Sequence, residues 1–277
     1  MCVSRITPWH LCLACSLCVA GAVSAAEEPI ALTAGISLSA NRFDYREYDG
    51  AGQQLNRESA TLPGVTLSLE GPLAGFFWLG ELTFQKGSAH YDGRTNLGAA
   101  HLTTTQEKIL DGSVQVGRWF ASKELPAFAL YGGLGYREWN RDIAATQTVG
   151  GLFETYSWWY VLLGAKAIVL KRGPFEWVAD IRLMRPLDPK VSIDFKGAFA
   201  AAPEVEPTAR PGFWIALPLR YKIAKGSALS LEPYFEQWKL GRSENVSFRS
   251  GTLNITVHEP ENKTRSFGVR FGWHRAF

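Results

Sequence analysis

Ser266-Phe267-Gly268-Val269-Arg270-Phe271-Gly272-Trp273-His274-Arg275-Ala276-Phe277 ends the chain and decides how the rest is read. Phe267, Val269, Phe271 and Trp273 alternate with Ser266, Gly268, Arg270, Gly272 and His274. A period of two puts the first set on one face of a strand and the second on the other, so the stretch reads as a β-strand with a greasy and a wet side.

The same period recurs upstream. Leu32, Ala34, Ile36 and Leu38 form one greasy face, as do Val65, Leu67 and Leu69, then Phe76, Trp78, Leu82 and Phe84. Leu110, Val114, Val116 and Phe120 repeat it, followed by Phe128, Leu130, Leu134 and Tyr136. Trp159 to Val169, Phe175 to Leu183, Phe213 to Tyr221, and Leu229, Leu231 and Phe235 complete the series. Gly- and Pro-bearing turns such as Gly71-Pro72-Leu73-Ala74-Gly75 and Lys171-Arg172-Gly173-Pro174 alternate with longer polar connections. The expected connections are Tyr48 to Glu58, Tyr91 to His101, Pro186 to Pro211 and Arg242 to Lys263, the last holding a hairpin of Val246–Phe248 and Leu253–Val257.

A last strand with apolar residues at every second position and a terminal Phe resembles the closing strand of bacterial outer-membrane β-barrels; Phe267, Val269, Phe271, Trp273 and Phe277 carry the resemblance, and Arg275 departs from it. The resemblance implies recognition by the barrel-assembly machinery. The fold class expected is all-β, a transmembrane antiparallel up-and-down barrel of about ten strands, with eight or twelve as alternatives. Short turns would lie on the periplasmic side and long loops outside.

The start of the chain reads as a signal peptide over residues 1–26, with Arg5, an apolar run from Leu11 to Ala22, and small residues up to a cut after Ala25 or Ala26. A lipoprotein is the rival reading, since Cys12, Cys15 and Cys18 lie in that run. All four cysteines precede residue 27, so the single domain 27–277 has no disulfide and no thiolate chemistry. Its net charge of about +2 offers no basic stripe for nucleic acid.

Three features assign the greasy face to lipid. It carries no charge at mid-strand, closure pairs every backbone group in hydrocarbon, and tryptophans sit near the strand ends. Trp119 and Trp177 would form one belt, and Trp139, Trp158, Trp159, Trp214 and Trp238 the other. The wet face then lines the lumen with Glu81, Asp111, Glu176, Asp180, Glu232 and Glu236 against Arg137, Lys166, Arg182, Arg220, Lys222 and Arg270. Unpaired charges in a narrow lumen are costly, so these should cross-link and plug it. Lys166 is expected diagonal to Asp180, and Arg220, Glu232 and Arg270 at one depth, with Gly133, Gly135, Gly268 and Gly272 leaving room for long side chains.

Ten-stranded barrels include the omptin proteases, whose Asp-x-Asp and Asp-x-His pairs have no counterpart here, so the resemblance is to architecture and carries no catalytic residue across. The nearest approach to a His-x-Ser site is His101-Leu102-Thr103 with Glu107, which reads as a solvated strand end. His274 reads as a structural lumen residue within reach of Glu232. Asn245-Val246-Ser247, Asn254-Ile255-Thr256 and Asn262-Lys263-Thr264 match a glycosylation pattern and read as polar loop composition.

The expected function is a non-catalytic barrel in a Gram-negative outer membrane, exported through the periplasm, with a charge-plugged interior and surface loops at 186–211 and 242–263 for an extracellular ligand or envelope maintenance. Its expected partners are outer-membrane lipid and lipopolysaccharide; no cofactor or metal is expected. A narrow channel for small solutes is the first alternative, and an omptin-like protease or lipid-modifying enzyme the second.

Overall fold

The computed structural model describes residues 31–94, 98–121, 126–200 and 202–277. The expected signal peptide and the turn residues 122–125 lie outside these.

Ten strands form the wall: β1 Thr33–Tyr48, β2 Gln54–Leu73, β3 Phe76–Arg94, β4 Ala100–Phe120, β5 Phe128–Ile143, β6 Leu152–Arg172 and β7 Phe175–Asp194 come first. β8 is split into Gly212–Ala216 and Leu219–Ala224, and β9 Ser227–Gly241 and β10 Glu261–Ala276 follow. Each strand pairs with its sequence neighbour, and β1 pairs with β10 over Thr33↔Ala276 to Tyr48↔Glu261. The sheet is therefore a closed antiparallel barrel. Strand twist and the short turns at Ala74-Gly75, Gly173 and Gly226 supply the hairpin geometry; Ala74 and these glycines have positive φ.

Side chains alternate as the period predicts. Leu38, Leu67, Val114, Leu163, Leu183, Phe267 and Phe271 are exposed outward, whereas Asn41, Thr66, Gln115, Arg137, Lys166 and Ser266 are buried inward. In a membrane barrel the exposed apolar face is solvated by lipid, which removes the cost that water would impose.

The strands, at 15 to 21 residues apart from the split β8, outrun the roughly 9–11 residues that a tilted strand needs to cross a bilayer. The outward pattern marks where the crossing ends. Above Leu38 and Ala40 comes Arg42, above Phe84 comes Lys86, below Leu110 in sequence comes Lys108, and beyond Leu183 comes Arg185; all four are exposed. The surplus length stands clear of the apolar band on the long-loop side. Thus the expected connection Tyr48 to Glu58 shrinks to residues 49–53, and the loop expected to start at Pro186 starts after Asp194. Polar alternation here belongs to strands whose two faces are both wet or packed against protein, which composition alone reads as loop. The expected hairpin is present as Val246–Ser250 paired with Leu253–Val257, and Phe248 stacks on Phe195 at 6.0 Å.

The tryptophan belts need correction. Trp139, Trp158, Trp214 and Trp238 are buried in the lumen, and Trp119 packs inward against Phe77. Of those named, only Trp159 and Trp177 face outward, joined by Trp78 and Trp273. The five share the face of the charged residues by parity: Trp139 follows Arg137 by two, and Trp238 follows Glu236 by two. A narrow lumen needs large rings to fill it. The outward girdle at the short-turn rim is built instead by Trp78, Trp177, Trp273, the stacked pair Phe120 and Phe128 (5.2 Å), and Phe175 against Tyr221 (4.8 Å).

Candidate functional site in the barrel lumen

Charged residues cross the lumen in three levels. At the first, Arg137 on β5 donates through Nε to Asp111 Oδ2 and through a terminal nitrogen to Glu236 Oε1, both at 2.8 Å. Tyr160 donates to the other Asp111 oxygen at 2.9 Å. The guanidinium lies 4.7 Å from the ring of Trp238, which meets Trp158 and Tyr160 edge-on. Planar delocalised charge between carboxylates and a π-face is what arginine accommodates best.

The second level lies closer to the short turns. Arg182 bridges Glu81 at 2.8 Å and Asp180 at 3.3 Å, receives company from Trp214 at 4.0 Å, and donates to Tyr131 Oη at 3.1 Å. Arg270 reaches Glu232 at 3.2 Å and Glu81 at 3.9 Å. Lys166 stands directly across from Asp180 rather than diagonal to it. Tyr131 and Arg182 occupy the Asp180 oxygens, and the Lys166 ammonium settles over Phe77 (4.8 Å) and Tyr131 (5.1 Å). A cavity of about 40 Å³ separates the two levels.

Below the second level a vestibule of about 510 Å³ opens at the short-turn rim. Arg220 does not join Glu232 and Arg270 at one depth. The turn at Lys225-Gly226 sets the register so that Arg220 faces Ser230, and its partner is Glu176 at 4.0 Å. Lys222 lines the same mouth. His274 Nε2 pairs with Ser230 Oγ at 2.8 Å, not with Glu232.

Close packing at these levels depends on glycine. Tyr131 faces Gly164, Gly135 faces Tyr160, and Tyr234 faces Gly268 across neighbouring strands. In each pair the tyrosine ring lies over the place a Cβ would occupy.

The third level, near the long-loop rim, went unread in the sequence. Arg141, with no solvent exposure, reaches Glu58 and Glu154 at 2.5 Å each and Glu47 at 3.3 Å. Tyr45 and Tyr156 hold the same guanidinium at 3.1 Å. Glu107 accepts from Trp139 Nε1 at 2.6 Å, and Glu259 descends from the 242–260 loop to accept from Tyr156 Oη and Asn262 Nδ2, both at 2.7 Å. Five buried carboxyls thus surround one cation. Burial and the neighbouring Glu58 push Glu107 well above the usual carboxylate range; burial raises Glu154 to about 7 against the pull of Arg141. Burial, Glu47 and Glu154 likewise raise Glu259. Among the described residues no donor reaches Glu58 Oε2 or Glu107 Oε1. These residues lie above the ring of outward charges, beyond the apolar band. The available signal was parity: Asn41, Phe43, Tyr45 and Glu47 continue one face, as do Arg137, Trp139 and Arg141.

His101 and Thr103 do not meet. His101 packs edge-on against Tyr91 at 5.4 Å, and Thr103 donates to the Ala144 carbonyl at 3.0 Å. Among the described residues no group of His, Cys, Asp and Glu is arranged to hold a metal ion. At the chain end, Phe267, Val269, Phe271, Trp273 and Phe277 are all exposed outward. Arg275, the departure from the closing-strand pattern, reaches round to Ser227 Oγ at 2.9 Å.

No protein-family model and no curated protein matches the chain. Solved structures do. The outer-membrane protease OmpT of Escherichia coli superposes with a TM-score of 0.61 at 11% identity, over 90% of this chain and 98% of that one. The translocator domain of the autotransporter NalP of Neisseria meningitidis matches at 0.47 and 8% identity, over 92% and 91%. The first likeness supports the fold: an outer-membrane β-barrel of omptin-like architecture.

Proposed function

We propose that this is a non-catalytic barrel of a Gram-negative outer membrane, exported through the periplasm, that works at the cell surface rather than as a conduit. One observation carries the reading. Arg137, Arg182, Arg270 and Arg141 are each tied to carboxylates on other strands and stacked on aromatic rings, so charge and bulk fill the lumen together. A solute would have to break several desolvated ion pairs to pass. The loops 195–211 and 242–260, carried on this rigid wall, supply the surface for an extracellular ligand or for envelope maintenance. The exposed closing strand supports handling by the barrel-assembly machinery, and the outward apolar band supports outer-membrane lipid and lipopolysaccharide as neighbours. Planar-bilayer recording of the purified protein tests this: the expected trace is silent, and a steady open conductance overturns the reading in favour of a narrow channel.

A further inference from the structure

Outward charges above the apolar band are not evenly spread. Arg46 on β1, Lys263 on β10 and Lys239 on β9 are successive register partners, so three cations stand in one row across three strands. Like charges directly opposite on adjacent strands repel. Arg46 has a carboxylate, Asp44 at 2.7 Å, which Arg57 shares. Neither Lys239 nor Lys263 has an ion-pair partner among the described residues. One step nearer the band, exposed Arg265 lies across from Asp44 and Gln237, and Arg42 is exposed beside Phe267. Six cations and one acid, Asp44, occupy this block of β9, β10, β1 and β2, with Glu261 and Asp49 at the rim above. Burial, with Arg265, Lys239 and Arg46 alongside, holds Lys263 below the usual lysine range. A cavity of about 480 Å³ adjoins the row, lined by Lys239, Lys263 and Arg242 together with Tyr48, Asp49 and Glu261.

Position selects the anion. Below Arg265 the same face presents Phe235 and Phe267, then Val269, the start of the lipid-solvated band. A ligand that neutralises the row and continues downward must join phosphate-type charge to acyl chains. Lysine and arginine both suit phosphate, arginine in forked geometry.

We infer that Lys239, Lys263, Arg265 and Arg46 form a binding site for the phosphate groups of a phosphorylated lipid of the outer leaflet, with its acyl chains along Phe235, Phe267 and Val269. The inference rests on the outward face being the lipid face and is independent of whether the lumen conducts.

Native mass spectrometry and thermal unfolding of the full protein in a neutral detergent test it, with bisphosphorylated lipid A, dephosphorylated lipid A and inorganic phosphate as probes. The wild type should retain the bisphosphorylated lipid roughly tenfold better than the dephosphorylated one, and inorganic phosphate should not raise the unfolding temperature. The variant K239Q/K263Q/R265Q should lose that preference, while Lys171→Gln at the opposite rim keeps it. Without lipid the triple variant should unfold at the wild-type temperature or above, because repulsion is relieved; should it fail to fold, K263Q alone carries the comparison. Equal retention of both lipids, undiminished binding by the variants, or stabilisation by inorganic phosphate alone each overturns the site. A conducting protein that still discriminates the lipids would sink the plug and leave this site standing.

Discussion

Arg141 and Glu58 meet at 2.5 Å with neither side chain exposed, joining β5 to β2 across the lumen. Replacing Arg141 by Met removes the cation shared by Glu47, Glu58 and Glu154 and leaves their carboxyls buried without a counter-charge. The expected loss is about 3–5 kcal/mol, measured by urea unfolding in detergent micelles. Arg141→Lys should recover only part of it, since one ammonium cannot fork between Glu58 and Glu154.

The same level should respond to pH. Glu154 titrates near 7 and Glu259 is also raised, so the folded state keeps protons that the unfolded state releases from about pH 4.5 upward. Its contribution is full below that value and declines as pH rises through about 7. Facing groups are Glu47, Glu58, Glu107, Tyr45, Tyr91, Tyr156 and Arg141. Because Glu259 anchors the 242–260 loop, protease cleavage there should be several-fold slower at about pH 5.5 than at about pH 8.5. Glu259→Gln, which keeps the hydrogen bonds without the charge, should flatten the profile; an unchanged profile would rule Glu259 out as the sensor.

Tyrosine over glycine is a second load on the wall. Gly135→Val puts a branched side chain where the Tyr160 ring lies and should cost about 1–3 kcal/mol in the same unfolding assay. Gly50→Val, with nothing near its Cβ position, should be close to neutral.

The lipid face has its own test. Leu163, 70% exposed at mid-band, should cost about 2–4 kcal/mol when changed to Arg. Gln106→Arg, outward but above the band, should change stability little.

Much of this was readable from alternation alone. Period two gave ten strands, and Arg137, Asp111, Glu236, Arg182, Glu81 and Arg270 on one face, because backbone parity needs no tertiary information. Two things escaped. The outer halves of the strands look like loops, since no lipid demands a greasy face there, and Arg141 with its five acids was hidden in them. Tryptophan's habit of sitting at interfaces points to the rims, whereas Trp139 and Trp238 follow the parity of the charged face. Partnerships such as Arg220 with Glu176 depend on the register that each turn fixes, which composition does not encode.

The split in β8 has a mechanical consequence. Leu217-Pro218 interrupts the strand, β8 ends with the apolar band instead of rising beyond it, and above it the backbone pairing among the described residues is limited to Thr208–Ala209 with β9 and a bridge from Val191 to Val205. The join of β1 to β10, by contrast, runs unbroken along both strands. A zipper parts where teeth are missing. Amide exchange should therefore start around β8, and sideways yielding of the cylinder begins there, about a quarter of the circumference from the seam between β1 and β10.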